Sequence, residues 1–367
     1  GTGSSAVQAI PELAKAAGHL TVFQRTPVYT VPANRKAMRD AVESEFKENY
    51  RHIRERQWDN RGGVSNFRPS RSVRSKSKRG MGGGRRGDAG LIKSISPEQR
   101  QAMVDQRGLE VILNFADVYT DPSANEIAND LFRSTVREMV DDAEVAEKLL
   151  PQDYGLGCKR QVLDRDYYPT FNRDNVTLVD LKQTPIERIT PSGLTTEDAE
   201  YDLDVLIYAT GFDAMTGALL KLNITGRDGR QLTDKWEFGP VAYLGLQMEG
   251  FPNLFTVTGP GSPSVLCNML VAIEQHVNWI GDCIKYLDGK GLNSIEPLPD
   301  SEQRWVQQVN KVADGTMFTA PSCNSWYLGA NIEGKPRIFM PYVGGFPQYR
   351  VHCEAETDEG YPGFSVV

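Results

Sequence analysis

Three small-residue positions open the chain, in Gly1-Thr2-Gly3-Ser4-Ser5-Ala6. The first glycine would allow a tight turn and the second would let the backbone approach a ligand. Ala6 holds a third small position for close helix–strand packing. A helix that starts here offers unpaired N–H groups and a partial positive charge, which suits a pyrophosphate. A glycine turn with a purely structural purpose has the same spelling, so the pattern alone is a weak signal. The second candidate is Arg25, in Phe23-Gln24-Arg25-Thr26. An NAD-binding unit places an acid about 20 residues on, to accept from the ribose 2′-hydroxyl. Here the acid is missing, and a guanidinium pairs with a phosphate through two parallel bonds. That points to NADP(H) over NAD(H), with a solvated surface arginine as the alternative. The third candidate is Lys159-Arg160, which by position alone reads as a solvated surface pair.

The elements that must position these residues are legible in part. Val7, Ile10, Leu13 and Ala17 recur at helical spacing over Val7 to Ala17, and Gly18 suits the end of that helix. Leu20 to Phe23 follows as a short buried strand, so turn, helix and strand make most of a βαβ unit. Arg35 to Trp58 is charged and helix-rich. Asp121-Pro122 is a cap followed by a first-turn proline. Ile127, Leu131, Met139 and Val140 are expected on the apolar face of its helix, and Ala143 to Leu150 forms a second. Strands are expected at Val176 to Val179, at Val205 to Ala209 (buried on both faces) and at Leu254 to Val257. A long helix should bury Leu266, Leu270, Ile273, Val277, Ile280, Ile284 and Leu287 and end at Gly289. Strands alternating with helices predict an α/β protein with parallel sheets.

The 367 residues suffice for two or three domains, and 40% hydrophobic with 24% charged residues is an ordinary globular composition. No apolar run approaches the ~18 residues of a membrane span, and no leader argues for secretion. The five cysteines, Cys158, Cys267, Cys283, Cys323 and Cys353, are scattered. They are expected as free thiols in a reducing, cytoplasmic setting, with no metal centre. A glycine turn of this kind works only when a strand delivers it, and none precedes Gly1, so the sequence is expected to be a fragment of a longer product.

Several motifs in order resemble the Baeyer–Villiger monooxygenases, in particular the phenylacetone and cyclohexanone monooxygenase group. They are the opening turn, Val22-Phe23-Gln24-Arg25-Thr26-Pro27, Gly157-Cys158-Lys159-Arg160, Tyr167-Tyr168, Phe171-Asn172-Arg173-Asp174-Asn175-Val176 and Ala209-Thr210-Gly211-Phe212-Asp213. Further on come Gly259-Pro260-Gly261-Ser262-Pro263-Ser264, Asn268-Met269-Leu270, Ser325-Trp326-Tyr327, Gly329-Ala330-Asn331 and Gly334-Lys335-Pro336-Arg337. The resemblance implies a flavoprotein with two dinucleotide-binding domains and FAD and NADP as cofactors. It implies oxygenation of a ketone with molecular oxygen, by way of a flavin peroxide, to an ester or lactone.

It also implies roles. Arg160 is the catalytic cation, which unlike lysine cannot lose its proton. Gly1, Thr2, Gly3, Ser4, Ser5, Arg25, Thr26 and Lys159 hold NADP, with Lys159 joining Arg25 on the 2′-phosphate. Trp326 closes over NADP and substrate, the alternative being a core tryptophan. Ala209, Thr210, Gly211, Asp213 and Met269 border the flavin, although Asp213 reads equally as a turn residue.

The expected domains are a Rossmann-like NADP domain at 1–30 and 156–207, a helical insertion at 31–155, and the C-terminal part of a FAD domain at 208–367. The sequence departs from the family in two ways. The flavin-binding glycine turn and a histidine-containing signature are absent, so the chain alone is expected to be inactive. The basic segment from Arg61 to Gly90 is the second departure. It reads as a solvated loop, a nucleic-acid patch or a local frame error, and nucleic-acid binding is disfavoured because only Phe67 supplies an aromatic ring nearby. Rival readings are a flavin monooxygenase acting on nitrogen or sulfur, and a non-catalytic NADP-binding remnant.

Overall fold

The computed structural model describes residues 1–33, 37–65, 90–330 and 332–367. The chain forms two compact units. The first comprises Gly1–Lys36, Ser77–Phe212 and Ala320–Cys323; the second comprises Ala37–Lys76, Asp213–Thr319 and Asn324–Val367. Most of the basic segment, residues 66–89, lies outside the described residues, as does Asn331.

The first unit is α/β, with parallel strand pairs. Strand β1 (Leu20–Gln24), β2 (Thr30–Pro32), β3 (Val162–Asp164) and β4 (Val176–Asp180) pair as β1 with β4 and β2 with β3, both parallel. The helix Ser4–Ala16 precedes β1 and buries Val7, Ile10, Pro11 and Ala14. Asn175, just ahead of β4, donates from Nδ2 to the carbonyls of Ala14 and Ala17. Those are acceptors the helix end leaves unpaired, so one side chain ties helix end to strand start. A three-stranded antiparallel sheet follows, of β5 (Ile186–Thr190), β6 (Gly193–Thr196) and β7 (Glu200–Asp202).

The helix Pro122–Met139 begins as expected, with Asp121 accepting from the backbone N–H groups of Ser123 and Ala124. Its buried face is shifted from the expected one. Ala124, Asn125, Ala128, Asn129, Phe132, Thr135 and Val136 go inside, while Ile127, Leu131 and Met139 are only half-buried. Phe132 meets the rings of Tyr29 and Tyr168 there, and two asparagines satisfy backbone groups that an apolar stripe would leave bare: Asn125 donates to the Val118 and Leu156 carbonyls and Asn129 accepts from the Leu156 N–H.

Val205 to Ala209 is not a strand. The segment is irregular, with Val205 74% and Tyr208 68% exposed. No backbone hydrogen bond joins residues 205–211 to another described segment. An apolar β-type sequence becomes a strand only when a ladder partner lies alongside. Leu254 to Val257 is likewise irregular, held by the Thr256 N–H and hydroxyl donating to the carbonyls of Leu246 and Gly245.

The second unit is built round the helix Met269–Lys290 and the helices Pro299–Ala313 and Phe346–Asp358. The long helix runs past Gly289 to a left-handed Gly291. Its buried face is Val271, Ala272, Gln275, His276, Trp279, Cys283 and Leu287. Of the residues expected inside, Leu287 is buried, whereas Leu270, Val277 and Ile284 are exposed. Both sides of this helix are apolar, and the side carrying Trp279 and the small residues packs against Trp305, Tyr349, Tyr361 and Phe364.

His276 was not singled out by sequence. Its Nδ1 accepts from the Thr258 N–H at 2.8 Å, and its Nε2 lies 2.9 Å from the Tyr349 hydroxyl, which donates to the Leu244 carbonyl. Burial pushes its pKa down to about 4. The folded state therefore refuses a proton that the unfolded chain accepts below its ordinary value near 6.5. Stability is full above pH ~6.5 and falls as pH drops toward 4, by roughly 3 kcal/mol from this group. Urea unfolding of this unit at pH 7 and pH 4.5, compared with His276→Gln, checks it: the variant should lose most of that pH slope.

Candidate functional site

The opening turn is held by backbone contacts. A side chain on Gly1 would meet the Ala209 carbonyl oxygen at 2.1 Å, so only glycine fits there. The Gly1 amine donates to the Phe23 carbonyl at 2.9 Å. Buried Thr2 donates from its hydroxyl to the Thr26 carbonyl at 2.8 Å, which locks the turn to the end of β1. At Gly3 the neighbourhood is open, with nothing within 4 Å of where a Cβ would stand. Ser4 and Ser5 begin the helix exposed, with neither a capping side chain nor an acid in the first turn. These N–H groups stay available for an anion.

Arg25 projects from the end of β1, exposed and without a hydrogen bond or ion pair to any other described residue. Lys159 is half-buried, its Nζ 4.1 Å from the centre of the Tyr154 ring. Burial first, then the charges of Arg25 and Lys182, push its pKa down to about 8. A desolvated ammonium among like charges is a place where a phosphate would be strongly favoured. Arg160 is exposed rather than enclosed, and among the described residues it makes no ion pair or hydrogen bond. No described residue encloses it away from water.

A network that sequence reasoning missed supports this loop. Asn125 donates to the carbonyls of Val118 and Leu156 at 2.8 and 2.7 Å, and Asn129 donates to Asn125 Oδ1. The Leu156 N–H and the Tyr29 hydroxyl both donate to Asn129 Oδ1, and Tyr29 also reaches the Tyr154 carbonyl. The backbone from Tyr154 to Leu156, directly before Gly157-Cys158-Lys159-Arg160, is thereby fixed from a helix. The signal was available as polar residues at the spacing of a buried helix face.

The expectation of five free thiols is overturned. Cys158, beside Lys159, is bonded to Cys323, while Cys267, Cys283 and Cys353 are free and buried. A separation of 165 residues hid the pairing from any reading of local spacing. Among the described residues no cluster could hold a metal ion.

Ala209 reaches the opening turn, as stated for Gly1, whereas Thr210 and Gly211 are exposed. In the second unit, Asp213 is ion-paired with Lys335, whose ammonium also donates to the Thr216 hydroxyl. Asn268 caps the long helix through the Leu270 N–H, and Met269 is partly exposed at its start. Trp326 is half-buried against the buried Tyr327, their ring centres 4.5 Å apart. A cleft of about 360 Å³ in this unit is lined by Val241, Val306, Asn310, Leu328 and Arg337 among others, and by none of the expected cofactor residues.

No family model matches the chain. It is 38% identical to a Baeyer–Villiger monooxygenase of Pseudooceanicola batsensis over 98% of its own length and 63% of that protein. To a phenazine N-monooxygenase of Lysobacter antibioticus it is 36% identical, over 99% of this chain and 64% of the other. A solved structure of OTEMO in complex with FAD and NADP superposes with a TM-score of 0.88 and 35% identity, over 100% of this chain and 65% of that one. The chain belongs to the Baeyer–Villiger monooxygenase family. It spans just under two thirds of the length of these family members. The α/β two-dinucleotide-domain architecture expected from sequence is that of these neighbours. No described helix is long and apolar enough to cross a membrane.

Proposed function

We propose that this chain acts, within a full-length protein, in NADPH- and FAD-dependent oxygenation of ketones to esters or lactones. The observation that carries the reading is the charge arrangement at the end of β1. Arg25 lies close enough to the opening turn to act on the Gly1 amine and also acts on the desolvated Lys159, while the helix start is uncapped and its Gly3 leaves open space.

These residues fit NADP. The N–H groups of Gly3 to Ser5 would take the pyrophosphate, and Arg25 and Lys159 the 2′-phosphate, with Thr2 and Thr26 holding the turn. The first unit is accordingly assigned as the NADP-binding domain. Arg160, next along the chain, keeps a full positive charge at any working pH. It would stabilise negative charge developing on the ketone oxygen and on the attacking oxygen. Trp326, half-buried against Tyr327, is assigned to covering the nicotinamide and substrate.

The groups assigned to FAD do not make a flavin site by themselves. Asp213 is engaged by Lys335, the Leu270 N–H is capped, and the segment from Val205 to Gly211 has no backbone hydrogen bond to another described segment. The isolated chain is therefore expected to bind NADP but not FAD, and to be inactive alone. Bound in the full-length protein, FAD supplies the hydride acceptor and the activation of oxygen. The working partners are a ketone and molecular oxygen; the cytoplasmic setting expected from free thiols loses that support with Cys158 bonded to Cys323.

A second reading, oxygenation at nitrogen, draws on the 36% identity to the phenazine N-monooxygenase. The test offers the full-length protein NADPH and oxygen with a cyclic ketone, a thioether and an aromatic nitrogen heterocycle. A lactone carrying one atom of the supplied oxygen is expected. N-oxide as the sole product would replace the ketone reading with the nitrogen one.

A further inference from the structure

The end of β4 places another cation beside Arg25. The Leu181 N–H donates to the Gln24 carbonyl at 2.8 Å, which carries the β1–β4 pairing one residue beyond the strands. Lys182 comes next, and its backbone N–H is fixed by the Asp180 carboxylate at 3.0 Å. The Lys182 ammonium is ion-paired with Asp153, with side chains 46% and 65% exposed. Asp153 immediately precedes Tyr154, whose ring lies under Lys159 and whose hydroxyl donates to the Pro27 carbonyl at 2.7 Å. Arg25 and Lys182 thus follow the carboxyl ends of two parallel strands, where α/β sheets bind ligands, and Lys159 feels the charge of both. Asp153 is the single carboxylate paired into this group among the described residues.

We propose that Lys182 is a third cation for the NADP 2′-phosphate, and that Asp153 is its placeholder, holding the ammonium near the site until a phosphate competes for it. This rests on the NADP reading of the first unit. Three cations outnumber the two nearby carboxylates, Asp153 on the Lys182 ammonium and Asp180 on its backbone N–H, and leave an excess of positive charge. A dianionic phosphate relieves it, while a 2′-hydroxyl gives the cations nothing to pair with. Asp153 opposes phosphate entry by like charge and competes for Lys182, so its removal should tighten binding. The effect is confined to nucleotides that carry the 2′-phosphate.

The experiment measures binding of adenosine 2′,5′-bisphosphate and of adenosine 5′-monophosphate to the purified chain by calorimetry. The parent is compared with Lys182→Gln, Asp153→Asn, Arg25→Ala and Lys159→Ala, with melting curves confirming the fold. Lys182→Gln is expected to weaken the bisphosphate about tenfold with the monophosphate unchanged, and to flatten the salt dependence. Asp153→Asn is expected to tighten the bisphosphate three- to tenfold. If Lys182→Gln and Asp153→Asn leave the ratio of the two affinities unaltered while Arg25→Ala collapses it, the role of Lys182 is refuted and the NADP reading stands. If Arg25→Ala and Lys159→Ala also leave the ratio unaltered, the NADP reading fails, and the proposal with it.

Discussion

Arg160→Ala in the full-length protein should lower ester or lactone formation by two to three orders of magnitude, on the order of 10²–10³, which is what removal of one preorganised charge-stabilising donor costs. NADP affinity should stay within a few-fold, because Arg25 and Lys159 carry the 2′-phosphate in this reading. The large effect follows from chemistry and placement together. A guanidinium does not deprotonate, whereas the adjacent Lys159 is already pushed down to about 8 by burial and neighbouring charges. Arg160 is also free of ion pairs with the described residues, so its charge is not spent on a carboxylate. Arg160→Lys should recover part of the rate at low pH and less as pH rises. The measurement is product formation by gas chromatography alongside NADP binding. Turnover within threefold of the parent in the alanine variant would remove Arg160 from the mechanism.

The second large effect concerns the Cys158–Cys323 disulfide. Residues Ala320–Cys323 belong to the first unit, although the chain on both sides of them belongs to the second. A crosslink across 165 residues restricts the unfolded chain strongly, by about 5 kcal/mol in the loop-entropy account. Cys323→Ser, or the parent in reductant, should therefore unfold at markedly lower urea, with the loss read on the first unit's transition. The two treatments should not add, since both remove the same bond. Arg160 lies two residues from Cys158, so the same variant should also reduce turnover in the full-length protein through looser placement of Lys159-Arg160. Identical unfolding midpoints with and without reductant would show that the bond does not constrain the fold.

Both units carry apolar residues that stay outside. Val205, Ile207, Tyr208 and Phe212 in the first unit are all exposed, as are Leu270, Val277 and Ile284 in the second. Their residue types match a buried strand and a helix face, and the chain spans just under two thirds of the length of its similar family members. The expectation of burial came from composition, which records what a segment prefers and is silent on whether a partner is supplied.

The features legible before any fold was known are those whose physics is local. The glycine demanded at Gly1, the Asp121-Pro122 helix start, the strand before Arg25 and the α/β alternation all follow from neighbours a few residues apart. Those readings agree with the structure, and the ordered motifs led to the family. Which apolar face of the Met269–Lys290 helix goes inside was settled by packing in three dimensions, because both faces are apolar and their partners choose between them. The same packing joined Cys158 to Cys323, placed Asn125 and Asn129 under the Lys159-Arg160 loop, and brought Lys182 beside Arg25. Each of these depends on residues far apart in the chain meeting in space. Local periodicity carries no record of such meetings, because they are fixed by how whole elements pack.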